Sequence, residues 1–265
     1  MSEHAAEPPL GVVLRATPLR ESDLLVTLYT DSHGRVSAVA RGARKSQRRF
    51  AGALSLLVLG RYQLGRRPRG ELWSLESADV VREWTQLSSD VVAVAHASYV
   101  AELVGALLPA EVPEPHALDV LVALWDALAA GGPSPGALRA VEIALLDLAG
   151  HRPAIDQCAA CSSSELDDGA LFDPKRGGAI CRPCAARSRN TGVRPYDPAT
   201  RAYLHAVAAH ESPAAARVVD DQFTAADRTA GRDALVAMVT GLVDKPLRSL
   251  EYLAKLGAAG RRAKE

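Results

Sequence analysis

Four cysteines form the arrangement in this sequence with the clearest chemistry. They lie in two C-x-x-C pairs, Cys158-Ala-Ala-Cys161 and Cys181-Arg-Pro-Cys184, with nineteen residues between the pairs. This spacing is typical of tetrahedral zinc sites, in which each pair presents two thiolates. Four sulfur ligands leave no open position for a catalytic water. We therefore expect one structural Zn²⁺ ion held by Cys158, Cys161, Cys181 and Cys184.

Two disulfides, four idle thiols and a redox-active C-x-x-C are the alternatives for these cysteines. A redox pair usually stands alone at the start of a helix in a βαβ unit, and no such unit is indicated here. The first ten residues lack the basic and apolar regions of a signal peptide, so we expect a cytoplasmic protein. Because lasting disulfides are rare in the reducing cytosol, the metal site is the favoured interpretation.

A run of cations in the N-terminal part of the chain is the second candidate site. Between Arg35 and Gly70 the sequence has ten basic residues and no acidic one, although the whole chain has no net charge. Clustered Lys and Arg side chains neutralise nucleic-acid phosphates and release their counterions. The residues that we predict to contact DNA are Arg35, Arg41, Arg44, Lys45, Arg48, Arg49, Arg66, Arg67 and Arg69.

Aromatic residues are sparse around these cations. We therefore expect contacts to the nucleic-acid backbone with weak sequence selectivity, and an affinity that falls steeply as salt rises. The alternative is a solvated basic loop that contributes only to solubility. A run of cations with no acidic residue in it favours contact with nucleic acid.

No set of residues that could catalyse bond making is apparent. The segment Gly42-Ala-Arg-Lys-Ser46 resembles the end of a phosphate-binding loop but lacks the glycines that such a loop requires. The G-x-S-x-G and H-E-x-x-H patterns are absent, and the seven histidines are scattered. We therefore expect a binding protein and not an enzyme.

The cations must be positioned by strands, because apolar and alternating segments fill the first eighty residues. Predicted strands lie at residues 10–16, 24–29, 35–41, 54–64 and 71–80. In the third of these, Val36, Ala38 and Ala40 are expected to face one way while Arg41 faces the other. Five strands in about 70 residues suit a small closed barrel, of which the OB-fold is the commonest.

The apolar spacing changes to a helical period after Val81. One helix face is indicated by Val92, Tyr99, Leu103 and Leu107, and two further faces are indicated from Leu118 to Leu128 and from Leu138 to Leu148. Further helices are predicted at residues 197–210, from the capping pair Thr224 and Asp227 onward, and at residues 246–256. The expected fold is α+β and multidomain: an N-terminal OB-fold barrel, then an α-helical domain with an inserted four-cysteine zinc module.

These elements divide the chain into five expected segments. They are an OB-fold nucleic-acid-binding domain at 1–80, the first part of the helical domain at 81–152, the zinc module at 153–191, the second part of the helical domain at 192–256, and a flexible tail at 257–265. Residues 81–150 contain two basic and nine acidic residues, so this helical part is not expected to touch DNA by itself.

Five motifs in this order resemble the RecO family. They are Glu21-Ser-Asp-Leu-Leu25 with the following Leu28-Tyr-Thr30 and Gly34-Arg35, then Val39-Ala-Arg-Gly-Ala-Arg44 with Ser46, then Glu142 with Leu145, Leu146 and Gly150, then Gly177-Gly-Ala-Ile-Cys-Arg-Pro-Cys184, and Leu247-Arg-Ser-Leu-Glu-Tyr-Leu253. One departure is Val141, which stands where the family commonly has Phe. The likeness spans about residues 11–256.

The resemblance implies a recombination mediator in DNA repair. Members of the family bind single- and double-stranded DNA, anneal strands, bind the acidic C-terminal tail of single-strand-binding protein, and work with RecR to load RecA. They are not enzymes, and some lack the cysteines. The resemblance therefore also implies a nucleoid-associated protein in the cytoplasm.

Arg139 is the residue that we predict to bind the acidic tail, because it matches a basic position in the family's helix. The alternative is a surface arginine paired with Glu142 at i, i+3. Two other functions stay open at this point: a zinc-ribbon and OB-fold factor that binds RNA or DNA in transcription or translation, and, less favoured, a zinc-containing nucleic-acid enzyme.

Overall fold

The computed structural model describes residues 7–46, 48–66, 70, 72–188 and 190–262, with side chains as far as Gly257. The chain forms two compact units. One comprises Met1–Trp125 with Tyr252–Glu265, and the other comprises Asp126–Glu251. Among the described residues, no helix is both long and apolar enough to cross a membrane.

Five strands form a closed barrel in the first unit, which confirms the predicted OB-like architecture. They are β1 (Leu10–Pro18), β2 (Leu24–Thr30), β3 (Gly34–Ala40), β4 (Val58–Gly65) and β5 (Trp73–Glu83). The strand order around the barrel is β1-β2-β3-β5-β4, with β1 also paired to β4. All neighbours are antiparallel except β3 and β5.

The alternation predicted for β3 is confirmed. Val36, Ala38 and Ala40 are buried in the barrel core, because successive side chains of a strand point to opposite faces. Val39, on the other face, is nevertheless only 4% exposed. Burial on the outer face therefore varies along β3, since Ser37 on the same face is half-buried.

The predicted start of the fourth strand, at Leu54, is wrong, and β4 begins at Val58. Residues 51–57 form turns, and Leu57 has a positive φ of 67° that is incompatible with a strand. Ala53 is fully buried, and its carbonyl oxygen accepts the Tyr62 hydroxyl at 2.9 Å. The apolar residues before Val58 therefore lie in turns that cover the barrel core, and they do not lengthen β4.

Two helices follow the barrel. A short 3-10 helix, Thr85–Ser89, leads into α1 (Val91–Leu107), whose N-terminal amides are capped by Asp90, and then comes α2 (Pro115–Gly131). The predicted face of α1 is correct at Tyr99 and Leu103, which are fully buried, but wrong at Val92, which is 36% exposed. The small residues Ala93 and Ala97 take the buried place instead, since they allow close packing of the helix.

Helix α3 (Pro135–Leu148) belongs to the second unit and contains Arg139. Ser134 caps its first turn, and its hydroxyl also donates to Asp220 at 2.6 Å. The break before α3 is as predicted: Gly132 has a φ of 72°, which favours glycine.

The second cysteine pair lies at the start of a short helix that follows a small sheet, and the first pair lies in turns before that sheet. The sheet has the order β7-β6-β8, from β6 (Leu171–Asp173), β7 (Gly178–Ile180) and β8 (Arg194–Pro195), and α4 (Arg182–Arg187) lies between β7 and β8. Because β8 pairs with β6, the sheet reaches Pro195, beyond the predicted module end at residue 191.

The remaining helices are α5 (Pro198–Ala208), α6 (Pro213–Ala216), α7 (Ala225–Leu242) and α8 (Arg248–Arg262), with a 3-10 turn at Arg217–Asp221. The predicted capping box of Thr224 and Asp227 is present at the start of α7. Helix α8 runs past the predicted boundary at Leu256, because no proline follows and each further residue adds a helical hydrogen bond. Residues 263–265 of the predicted tail lie outside the described residues.

Candidate nucleic-acid interface and metal centre

The four cysteines converge on one point. Their sulfur atoms all lie within 4.8 Å of one another, and Cys161 Sγ is 3.8 Å from Cys181 Sγ. Tetrahedral coordination with metal–sulfur bonds of about 2.3 Å requires sulfur–sulfur distances of about 3.8 Å, whereas a disulfide bond measures about 2.05 Å. The spacing is that of ligands around a metal ion, and the cysteines can hold one.

Backbone amides shape the first cysteine pair. The Cys158 amide donates to the Ser163 carbonyl at 2.8 Å, and the Ser162 amide, at a residue with φ of 58°, returns to the Cys158 carbonyl at 2.8 Å. The Cys181 amide in turn donates to Cys158 Sγ at 3.4 Å. The turn thus fixes the position of one sulfur and links the two pairs.

The thiols of this cluster lie close enough to change one another's pKa. Burial raises the pKa of Cys158, but N–H groups donated by the backbone of Cys181, Ala160 and Cys161 outweigh it and bring the pKa to about 6. The pKa of Cys184 is raised to about 12, because its thiol donates to the sulfurs of Cys181 and Cys161. Four thiolates in this space would repel one another, and a divalent cation at their centre removes that repulsion.

Gly178 explains how the sheet closes against the start of the module. A side chain there would collide with the backbone of Ala154, with which Gly178 forms an isolated bridge. This close contact between the two backbones places β7, which precedes Cys181, next to the segment that precedes Cys158. A glycine is therefore required for the two cysteine pairs to meet.

Five predicted DNA contacts lie together in the loop after β3. The side chains of this cationic loop are all exposed and are those of Arg41, Arg44, Lys45, Arg48 and Arg49. Two of them reach Glu21 in the turn between β1 and β2: Arg44 Nη1 donates to its carbonyl at 2.9 Å, and Lys45 Nζ lies 3.3 Å from its carboxylate. These exposed contacts are weak, so the cations remain available to a polyanion.

The backbone of the cationic loop is anchored more firmly than its side chains. The Gly42 amide donates to Asp23 Oδ1 at 2.9 Å, and this hydrogen bond lowers the pKa of Asp23. The Arg44 amide donates to the Ser22 carbonyl at 3.1 Å. The loop is therefore held against the β1–β2 turn while its cations point to solvent.

A second cationic group lies at the opposite end of β3. Arg35 Nε donates to the Leu108 carbonyl at 3.3 Å, and Arg66 Nη2 donates to Glu111 Oε2 at 2.7 Å. The Arg66 guanidinium also stacks on Trp73 at 4.3 Å, and Trp73 Nε1 donates to Glu111 Oε1 at 2.8 Å. The hydrogen bonds from Trp73 and Arg66 lower the pKa of Glu111, so its carboxylate stays charged beside Arg66.

The structure does not unite the two groups in one cluster. Arg35 and Arg41 stand at the two ends of β3, about 20 Å apart for six residues of extended strand. Arg67 and Arg69, also predicted to bind DNA, lie outside the described residues. The predicted cations thus flank the outer face of the barrel at both ends.

Sequence reasoning missed Arg15, which fills the middle of this face. In the strand register Arg15 of β1 lies opposite Thr27 of β2, and Thr27 lies opposite Ser37 of β3. Cross-strand partners share a face, and Arg15 is exposed. The alternation of buried and exposed residues in β1 could have indicated that Arg15 faces outward. An irregularity between Val13 and Arg15 interrupts this alternation and hides it in the sequence.

Arg139 does not lie on the surface. Its side chain is 5% exposed, and its Nη2 donates to Oε1 of Glu142 at 2.7 Å, while Nε lies 2.7 Å from Oε2. The Glu142 side chain is fully buried. The alternative interpretation was right about the i, i+3 pair but wrong about its exposure.

Comparisons with known proteins cover nearly the whole chain. A family model described as "Recombination protein O N terminal" matches residues 9–84, and one described as "Recombination protein O C terminal" matches residues 88–251. A protein of Anaeromyxobacter sp. strain K, named DNA repair protein RecO, is 37% identical over 247 residues, which are 93% of this chain and 95% of the relative.

Proteins of the same name from other bacteria are also similar. The one from Geobacter sulfurreducens is 39% identical over 66% of this chain and 71% of its own length. The one from Syntrophus aciditrophicus is 28% identical over 97% of this chain and 100% of its own length. The similarity therefore extends through the barrel, the helices and the cysteine module.

Proposed function

The chain belongs to the RecO family, and from this premise we propose that it acts as a recombination mediator in DNA repair. In this role it binds single- and double-stranded DNA and anneals complementary strands. With RecR it helps to load RecA onto DNA coated with single-strand-binding protein. The role needs binding surfaces and no bond-making step, so we propose a protein that is not an enzyme and that acts at the nucleoid in the cytoplasm.

The cationic outer face of the barrel is the observation that carries this proposal. The cationic loop stands at one end of β3, Arg35 and Arg66 at the other, and Arg15 between them. Phosphates laid along this face would displace bound counterions, and that release supplies most of the free energy of non-specific binding.

Burial of the barrel's aromatic residues supports strand annealing in particular. Tyr29 and Tyr62 are fully buried, Phe50 is 2% exposed and Trp73 is 7% exposed. The barrel therefore offers little aromatic surface on which bases could stack. A strand held by its phosphates alone keeps its bases free to pair, while the cations reduce the repulsion between two strands.

We also propose that the metal at the four cysteines is a structural Zn²⁺ ion. An all-sulfur tetrahedral donor set suits Zn²⁺, which when bound would cross-link the two cysteine pairs. Cys158 and Cys181 are 1% and 7% exposed, so half of the ligand set faces the module interior. With every ligand position filled by protein, the ion would have no place for a substrate.

The protein partners in this proposal are RecR and the acidic C-terminal tail of single-strand-binding protein, with RecA as an indirect partner. Contact of Arg139 with the tail stays a prediction. Because Arg139 is buried against Glu142, a tail carboxylate would have to compete with that residue for the guanidinium.

Annealing of labelled complementary strands coated with single-strand-binding protein tests the proposal. The wild type should accelerate pairing without cleaving either strand in the presence of Mg²⁺. A barrel-loop variant, R41E/R44E/K45E, should lose most of this activity, because it reverses three exposed cations of the cationic loop. A control variant, R152E/R232E/K245E, makes the same change in net charge at exposed positions of the second unit and should anneal normally.

Pairing that is equally fast in the barrel-loop variant and the wild type would contradict the mediator role for the barrel. Strand cleavage would favour a zinc-containing nucleic-acid enzyme. A clear preference for RNA over DNA of the same sequence would favour a transcription or translation factor.

A further inference from the structure

A second acid-free cationic segment lies in the cysteine module and was not among the predicted DNA contacts. From Pro174 to Tyr196 the sequence has six basic residues and no Asp or Glu. Five of them are among the described residues, and all five are exposed: Lys175, Arg176, Arg182, Arg187 and Arg194.

A buried carboxylate gathers the parts of the module that carry these cations. Asp173, 1% exposed at the end of β6, accepts the backbone amides of Lys175 at 3.0 Å and Arg176 at 3.4 Å. Its Oδ1 also accepts Asn190 Nδ2 at 2.6 Å, in the loop that follows α4. The β6–β7 turn is thereby held against the loop just beyond Arg187.

Strand pairing adds the fourth member of this surface. Arg194 of β8 lies opposite Phe172 of β6, the residue before Asp173. We define the module surface as Lys175, Arg176, Arg187 and Arg194, which surround the Asp173 end of the small sheet. Arg182 is not included, because its side chain lies beside Gly169, before the start of β6.

Most cations of the module surface are not engaged by protein acids. Within the part of the chain that the structure describes, no carboxylate lies within 4.0 Å of the side-chain nitrogens of Lys175, Arg187 or Arg194. Arg176 Nε lies 3.6 Å from Oδ2 of Asp173, beyond hydrogen-bond distance. These side chains therefore keep counterions that a polyanion could release.

We infer that the module surface, whose residues all belong to the second unit, is a second binding surface for nucleic-acid phosphates. This inference rests on the proposed function. Three of its four cations are arginines, whose planar guanidinium groups match phosphate oxygens in pairs. The module's aromatic residues, Phe172 and Tyr196, are at most 1% exposed, so the surface reads the backbone and does not stack bases. It should therefore bind single strands and duplexes alike.

Charge compensation is the competing role for these cations. Four thiolates around one divalent ion leave a formal charge of about −2, which nearby arginines would balance. The two roles predict different consequences of charge reversal. Compensation predicts loss of metal with DNA affinity unchanged, and phosphate binding predicts loss of DNA affinity with the metal retained.

Fluorescence anisotropy with a labelled single strand and with a duplex tests the inference on the full chain. The module variant is K175E/R187E/R194E, which leaves Arg176 and its contact to Asp173 in place. We expect its affinity for both DNAs to fall about tenfold or more, and the slope of log K against log salt to shrink by about 2 for the single strand and about 3 for the duplex. Metal content, measured on the same samples, should stay at one ion per chain.

Two further variants separate the possible failures. The control variant, with the same change in net charge, should bind DNA as the wild type does. If the barrel-loop variant loses affinity and the module variant does not, the module surface is refuted and the proposed function stands. If the barrel-loop variant binds as the wild type does, the proposed function itself fails.

A milder variant covers the case in which charge reversal unfolds the module. K175Q/R187Q/R194Q removes the same three charges without adding repulsion. We expect it to keep its metal and to lose affinity about threefold or more for both DNAs. Unchanged affinity in this variant overturns the inference, and so does a loss confined to single strands, because that would indicate base stacking.

Discussion

Replacing Arg139 by methionine should destabilise the second unit far more than an ordinary helix ion pair would suggest. Arg139 and Glu142 are one turn apart on α3, with side-chain exposures of 5% and 0%. Methionine keeps most of the buried volume, so the change removes the charge and its hydrogen bonds without creating a large cavity. What remains is a carboxylate inside the protein without its cation.

The burial of the Arg139–Glu142 pair determines the size of the expected loss in unfolding free energy. Breaking a buried ion pair from one side costs about 3–5 kcal/mol, because the remaining charge stays desolvated. An exposed pair on a helix surface contributes only about 0.3–0.5 kcal/mol. For a protein of this size, 3 kcal/mol corresponds to a fall in Tm of roughly 6–12 °C. The variant R139M/E142Q should recover more than half of the loss, since it also removes the buried negative charge.

Urea unfolding followed by far-ultraviolet circular dichroism measures these differences, because the second unit is largely helical. R152M is the matched control. Arg152 pairs with Asp147 at 3.1 Å, but the two side chains are 73% and 47% exposed, so its loss should cost less than about 0.5 kcal/mol.

An R139M protein within about 1 kcal/mol of the wild type would refute the reasoning about burial. So would an R139M/E142Q protein no more stable than R139M. If R139M is destabilised as expected, its binding to the acidic tail peptide must be measured well below its Tm. Unchanged affinity under those conditions would remove Arg139 as a tail contact.

Three further predictions concern other sites. E111Q should bind single-stranded DNA about two- to five-fold more tightly, by anisotropy, because the Glu111 carboxylate now competes with phosphate for exposed Arg66; weaker binding would contradict this. Acidification should release the metal, since protons compete with it for the four thiolates, and a metal content constant down to about pH 4 would count against a four-thiolate site. T224A should lower stability by about 1 kcal/mol in urea unfolding by removing the capping box of α7, and an unchanged midpoint would show that the cap contributes nothing.

Local patterns predicted the barrel strands, the cysteine cluster and the α7 cap correctly. Alternation in β3 reports which face is buried, and C-x-x-C spacing is a property of ligand geometry. The capping box works within four residues, so it needs no tertiary information. Each of these features is indicated by residues that are close in sequence or by a spacing typical of metal ligands.

Features that depend on distant packing were not accessible in the same way. The segment before β4 is as apolar as a strand, but it folds into a turn because Ala53 closes the barrel core. Arg139 resembles a surface residue of an amphipathic helix until α3 is packed within the second unit. Arg15 joins the outer face only through its register with Thr27. In each case, the deciding partner is remote in sequence.

The salt dependence of single-strand binding tests the central claim most directly, since the barrel face is proposed to hold phosphates by charge. For the wild type, log K should fall linearly with log salt, with a slope of about −0.7 for each phosphate contacted. The barrel-loop variant should bind more weakly and with a slope smaller by about 2. A flat salt response in the wild type, or equal slopes in the two proteins, would contradict the claim.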